Sequence, residues 1–174
     1  VSLIRVTIKG GDTHLQAEYL QRVMERLSDP RNGLIKAANA AAGVWERNFR
    51  EGGALVGGWK DLAQATVENR VRQGMPAGPV LIKYGALKYV TTDAFMEANG
   101  PSSWSRSDPY SDNVTRGRLD IRKGVAHLSA SGWKTVHQTE GPNRPARPFW
   151  FVDANVMAAS KSAVEKWITD EVLR

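Results

Sequence analysis

Five apolar residues, Ile35, Ala38, Ala42, Trp45 and Phe49, follow one another at steps of 3, 4, 3 and 4. That spacing puts all five on one face of a helix. An alanine-rich run from Ala37 to Ala42 lies within the same stretch. Short side chains keep a neighbouring helix close, so the fold needs at least one more amphipathic helix beside this one. Two candidates exist. Leu15, Tyr19, Val23 and Leu27 repeat every four residues behind a possible cap at Asp12 or Thr13. A last helix starts near Asp153 and carries Val156, Ala159, Ala163, Val164, Trp167 and Ile168 on one face. Pro30 opens the central helix, because proline is tolerated in a first turn, and the helix stops near Arg50 before the glycines begin.

Other stretches carry a period of two. Leu3 to Lys9 alternates and is rich in β-branched residues, which predicts a half-buried strand. Val114 to Arg122 and Val125 to Ser131 alternate on either side of Lys123-Gly124 and predict a hairpin. Helices, a hairpin and a closing helix give an α+β fold: a small antiparallel sheet with packed helices and a long C-terminal helix. At 174 residues the chain fits one domain, 1–174, with one core.

Breaks divide these elements. Gly52, Gly53, Gly57 and Gly58 make 51–58 an extended, flexible loop, and a short helical stretch, Ala63 to Gln73, follows. A second break runs from Gly74 to Pro79. The apolar run Val80 to Leu87 leads into a short helix through Met96. The polar segment 99–113, rich in Ser, Pro and Gly, is a long loop by composition. Trp133 to Thr139 forms a short helix or turn. Glu140 to Pro148 holds Pro142, Pro145 and Pro148 and cannot be helical.

Composition narrows the function classes. With no cysteine there is neither a disulfide nor a thiolate metal site nor a cysteine nucleophile. No apolar run approaches the roughly 18–20 residues that span a bilayer, and the N-terminal residues have no signal-peptide architecture. The expectation is a soluble protein made in the cytoplasm, without a membrane partner. The formal charge is +6, from 24 basic and 18 acidic residues, but no basic run exceeds two. Such scatter fits a solvated surface or a subunit interface better than a dedicated nucleic-acid face.

Enzyme signatures are missing. The glycine pairs lack the Lys-Ser/Thr of a phosphate-binding loop, and there is no G-x-S-x-G elbow. His14, His127 and His137 lack the spacing of a metal-binding helix. His137, close to Gln138 and Glu140, is the best acid–base candidate, but hydrogen bonds from His137 and Gln138 to the backbone of the following turn account for it better. No catalytic residue, metal or cofactor is expected.

Three segments carry a family resemblance. Gly58-Trp59-Lys60-Asp61-Leu62, continuing to Thr66, is similar to a W-x-P-L-x-x-x-T stretch, with Asp61 where proline is usual. Ile82-Lys83-Tyr84-Gly85-Ala86-Leu87 with the two residues before it is similar to I-L-x-x-T-G-x-L, with Tyr84 where threonine is usual. His137-Gln138, one extra residue before Gly141, and then Pro145-Ala146-Arg147-Pro148-Phe149 resemble H-Q-x-G followed by P-A-R-P-F. In order and spacing they resemble the tail-completion and virion-morphogenesis proteins of long-tailed bacteriophages, over most of residues 30–174.

The resemblance implies a non-enzymatic virion protein of the phage neck. It would be a ring subunit, with six copies matching tail symmetry, that completes the tail and joins it to the head connector. Its partners would be its own copies, the head-closure or connector protein, and the tail terminator or tail tube. Genomic DNA in the lumen would touch it only weakly and without sequence preference. A tail terminator or head-closure protein in the adjacent layer is the nearest alternative, and a free DNA-binding protein a more distant one. Candidate subunit or layer contacts are Trp59, Lys60, Tyr84, His137, Gln138, Arg144, Arg147, Phe149 and Trp150. In this reading the prolines stiffen an arm, Arg147 offers a charged fork to a neighbouring carboxylate, and Phe149-Trp150-Phe151 anchors it. Ordinary core packing is the competing reading for Trp59 and the arm. The loops 51–58 and 99–113 are the candidates for contact with adjacent layers.

Overall fold

The computed structural model describes residues 13–78, 80, 102–107, 114–122, 125–130 and 145–174. Helix dominates them. Four α-helices, α1 (Thr13–Ser28), α2 (Arg31–Arg50), α3 (Gln64–Arg72) and α4 (Ala154–Trp167), are accompanied by three strands, β1 (Ser102–Ser107), β2 (Val114–Arg122) and β3 (Val125–Ala130). A 3-10 turn at Ala54–Val56 follows α2, and a π turn at Ile168–Val172 continues α4.

The centre is α2, and the long C-terminal α4 packs along it. The sequence explains how closely. Gly33 is buried where α2 meets the Trp167 ring, and a Cβ built there would lie 2.5 Å from Trp167 Cε3. Further along, Ser160 Oγ donates to the Ala37 carbonyl at 3.2 Å. Lys36 Nζ and Glu171 Oε1, each about one helical turn from the Gly33–Trp167 contact, pair at 2.9 Å. The start of α4 is fixed by Asp153, whose Oδ1 accepts the Val156 N–H at 2.9 Å, satisfying one of the free donors of the first turn.

The helical stripe divides its work. Ala42 packs against Leu119 of β2, with Ala38 and Trp45 alongside, while Phe49 is buried further on among aromatic residues. The strands pair antiparallel in the order β1-β2-β3. Leu119 faces Leu128, and Trp104 lies opposite Gly117 in register. β2 and β3 stand where the alternation put a hairpin. β1 corrects the reading of 99–113 as loop throughout: Ser102–Ser107 is polar and shows no apolar alternation, so pairing with β2, not composition, makes it a strand.

The first helix departs from its pattern in packing. Tyr19 and Val23 meet the C-terminal turn with Trp167 and Val172. Tyr19 Oη donates to the Leu173 carbonyl at 2.9 Å, and Arg26 Nη1 donates to that of Glu171 at 2.7 Å. Leu15 and Leu27, placed on the same stripe by the sequence, remain exposed because the short turn covers only part of the helix. The strand expected at Leu3 to Lys9, the helices expected after Val80 and at Trp133 to Thr139, and the turn Glu140 to Arg144 lie outside the described residues.

Candidate assembly site

Two of the three motif segments, almost ninety positions apart, meet at the C-terminal end of α2. The turn between α2 and Trp59 makes this possible. Asn48, fully buried, accepts the Gly53 N–H on its carbonyl at 2.8 Å and the Leu55 N–H on its side-chain Oδ1 at 3.1 Å. The chain then doubles back, with the Gly58 N–H on the Gly53 carbonyl and the Trp59 N–H on that of Gly52, both at 2.8 Å. Gly53 has φ +85, and an added Cβ would sit 2.3 Å from Trp59 Cδ1. Only glycine satisfies both the backbone angle and the indole above it. The segment 51–58, expected as an extended flexible loop, is instead a compact hydrogen-bonded turn that delivers Trp59.

Trp59 lies edge-on to Phe49, with ring centroids 5.3 Å apart and planes at 78°. Phe149 packs on the other side of Phe49 at 5.9 Å, and Trp150 follows at 5.6 Å from Phe149. Trp45 completes the set, 6.2 Å from Trp150. Val56 and Val80 pack against this cluster. Offset and edge-on arrangements of this kind are the favoured geometries for aromatic pairs.

The arm itself, residues 145–153, has no regular secondary structure and is held by its backbone. Trp59 Nε1 donates to the Pro148 carbonyl at 3.0 Å, and Trp45 Nε1 to the Phe151 carbonyl at 2.9 Å. Arg147 works in the opposite direction. It is 8% exposed; its Nε and Nη2 donate to the Lys60 carbonyl at 3.2 and 3.0 Å, and Nη2 also reaches that of Asp61 at 3.2 Å. Burial pushes the guanidinium below its ordinary pKa, yet an arginine starts so high that it stays charged at neutral pH. Three interdigitated grips therefore latch the arm to the turn.

This corrects the expectation for Arg147. Its fork does not wait for a neighbour's carboxylate; the chain's own carbonyls occupy it. Trp59 and Phe149 are likewise buried in the core and offer no contact surface. Trp150 is half-buried, and Lys60 keeps an exposed side chain while its carbonyl holds Arg147. Tyr84, His137, Gln138 and Arg144 lie outside the described residues. Gly53 is legible in the sequence only as a loop glycine and Asn48 not at all, although a polar residue at the end of an apolar stripe, just before paired glycines, marks such a turn.

The polar groups of the latch are an arginine and two indoles, donors that neither give up nor accept a proton near neutral pH. They hold main chain in place. Among the described residues no group of three or more His, Asp or Glu side chains could hold a metal ion, and no helix is long and apolar enough to cross a membrane. Several cations are engaged one helical turn away: Arg47 with Glu51, Arg50 with Glu46, and Lys161 with Glu165.

Comparison of the chain with protein-family models, with curated proteins and with solved structures found no match.

Proposed function

We propose that this chain is a structural subunit of the neck of a long-tailed bacteriophage. It completes the tail and joins it to the head connector as one member of a ring, without catalysis and without a cofactor. On this reading the domain is α+β, its small antiparallel sheet carried on α2 and closed by the long C-terminal helix. The observation that supports it best is the meeting of the Trp59 segment with the Pro145-Ala146-Arg147-Pro148-Phe149 segment in a single latch. Among the described residues these two segments pack as one unit, and their side chains serve the rigidity of an arm. A subunit that tiles a ring needs such stiffness, because a loosely held arm loses ordering entropy again at every contact it makes.

The partners on this reading are further copies, the connector or head-closure protein, and the tail terminator or tail tube. The basic residues are scattered, with no run longer than two, which favours weak contact with DNA in a lumen over tight binding. Imaging the neck of purified virions at a resolution that traces side chains is the test. Six or twelve copies between connector and tail tube are expected. Absence of the chain from the particle would refute the proposal. A submicromolar duplex-DNA complex of the isolated chain, weakening steeply with salt, would replace it with the DNA-binding reading.

A further inference from the structure

Arg116, Arg118 and Arg122 stand at steps of 2 and 4 along β2. Counting basic runs misses such a row, because successive residues of a strand alternate between its two faces. Leu119 packs against Ala42 of α2 and is buried, so its face is the inward one. Alternation places Arg116, Arg118, Asp120 and Arg122 on the other face, and the Arg118 side chain, 58% exposed, agrees. At about 3.4 Å per residue the row runs for roughly 20 Å, its first two members about 7 Å apart.

The register supplies the flanks. Ser105 stands opposite Arg116, and Ser103 and Ser129 stand opposite Arg118 from either side. His127 is opposite Asp120, and Val125 opposite Arg122. Opposite charges across neighbouring strands stabilise a sheet, yet no register partner of the three arginines is acidic. Asp120 is the one carboxylate on this face of the described strands, and it meets Arg118 at 3.2 Å. With Arg118 largely in water, that pair is weak enough to yield to a second anion. Three arginines against one carboxylate leave the face two positive charges in excess.

Arginines flanked by hydroxyls suit the oxygens of a phosphate. Trp104 is the only Trp, Tyr or Phe in the three strands, and its register with Gly117 puts it on the Leu119 face. The outward face therefore has no such ring on which a base could stack, the device that single-strand binders rely on. Its apolar members, Val114 and Val125, stand at opposite ends of the row and make no band for a bilayer to take up. We infer that the outward face of the sheet is a contact surface for the phosphate backbone of duplex DNA. Arg116, Arg118 and Arg122 each neutralise one phosphate, with Ser103, Ser105 and Ser129 as flanking donors. Contacts of this class carry no sequence information. The inference rests on the neck reading for where DNA is met, and gives the weak lumen contact of that reading its residues.

The test uses the full chain and short fluorescein-labelled duplexes of two unrelated sequences, with anisotropy read over a range of salt. Three neutralised phosphates predict a slope of about −2.7 for log affinity against log salt, and a dissociation constant no tighter than about micromolar. Arg116→Gln, Arg118→Gln and Arg122→Gln should each flatten the slope by about 0.9, and the triple change should abolish it. Lysine at all three positions should keep the slope, which separates lost charge from lost fold. Removing three exposed cations elsewhere, by Arg22→Gln, Arg31→Gln and Lys161→Gln, should leave the slope unaltered. Absence of binding at about 50 mM salt, an unaltered slope in the triple glutamine variant, or an equal loss in the control triple would overturn the inference. So would a preference for one duplex or for the single strand. Equally tight binding of polyglutamate would make the row a docking surface for an acidic protein instead. Imaged particles keep the two readings apart. A chain present in the neck whose triple glutamine variant binds DNA unaltered loses this surface and keeps the neck reading. A chain that shows the expected slope but is absent from particles does the reverse.

Discussion

Replacing Arg147 is the sharpest probe of the latch. Its guanidinium supplies three hydrogen bonds to two carbonyls, those of Lys60 and Asp61, and no water-exposed alternative substitutes for a side chain 8% exposed. A hydrogen bond from a charged donor contributes a net ~1.5–3 kcal/mol. The three share two acceptors and desolvate one cation, so they do not add, and about 3 kcal/mol is the expected loss in Arg147→Met. For a domain of this size that lowers the melting temperature by about 6–12 °C. Methionine fills most of the space, so the loss reports the fork and not a cavity. Arg147→Lys keeps the charge but reaches the carbonyls as a single point, and should fall about midway. Thermal melting followed by circular dichroism ranks the three proteins, and indole fluorescence reports whether Trp59 has been released toward water. If Arg147→Met melts within about a degree of the unaltered chain, the fork offsets no more than its own desolvation, and the latch is held by its aromatic rings alone.

Other substitutions test the remaining parts of the frame by melting temperature. Gly33→Ala places a Cβ 2.5 Å from the Trp167 ring and should cost ~1–3 kcal/mol by overpacking, whereas Gly43→Ala in the same helix meets nothing within 4 Å and should gain ~0.5–1 kcal/mol. Equal effects at the two sites would refute the close α2–α4 approach. Gly53→Ala, strained at φ +85 and pressed on Trp59, should destabilise by more than ~2 kcal/mol and shift the indole emission. Asp153→Ala should lose ~1 kcal/mol of capping. The Val156 N–H holds the Asp153 carboxyl below its ordinary pKa, so its contribution is complete above the unfolded carboxylate value and disappears as pH falls through the lower folded one. Asp153→Asn should retain most of the cap and flatten that acid dependence; an unchanged pH profile would remove Asp153 from the account.

Periodicity made the helices legible. The stripe from Ile35 to Phe49 and the cap at Asp153 needed no tertiary information, because side-chain spacing and a free first-turn N–H are local facts. What escaped the sequence was decided by partners. Ser102–Ser107 has loop composition and becomes a strand through its pairing with β2. The glycines of 51–58 looked like a request for flexibility, yet positive φ at Gly53 serves a fixed turn, and only the indole lying over it distinguishes the two uses. Arg147 was legible as a fork, but the acceptors it would find were not: a motif gives the donor's geometry and says nothing of what stands opposite.

The same distinction bears on how a subunit of the proposed kind would divide its residues. Trp59, Arg147 and Phe149, the most conspicuous side chains of the motif segments, are used up inside the subunit. Surface for a partner has to come from less conspicuous positions, and among the described residues the large exposed apolar side chains fall mainly on α1, with Val71, Val152 and Met157 elsewhere. Such a division is physically reasonable. A buried latch fixes the arm before any partner arrives, so association does not have to meet the entropy of ordering it. Substitutions in the latch should therefore lower the melting temperature of the isolated chain, whereas Met24→Glu, at a side chain 70% exposed, should leave that temperature unchanged. An Arg147 variant that melts like the unaltered chain while Met24→Glu melts lower would invert that division.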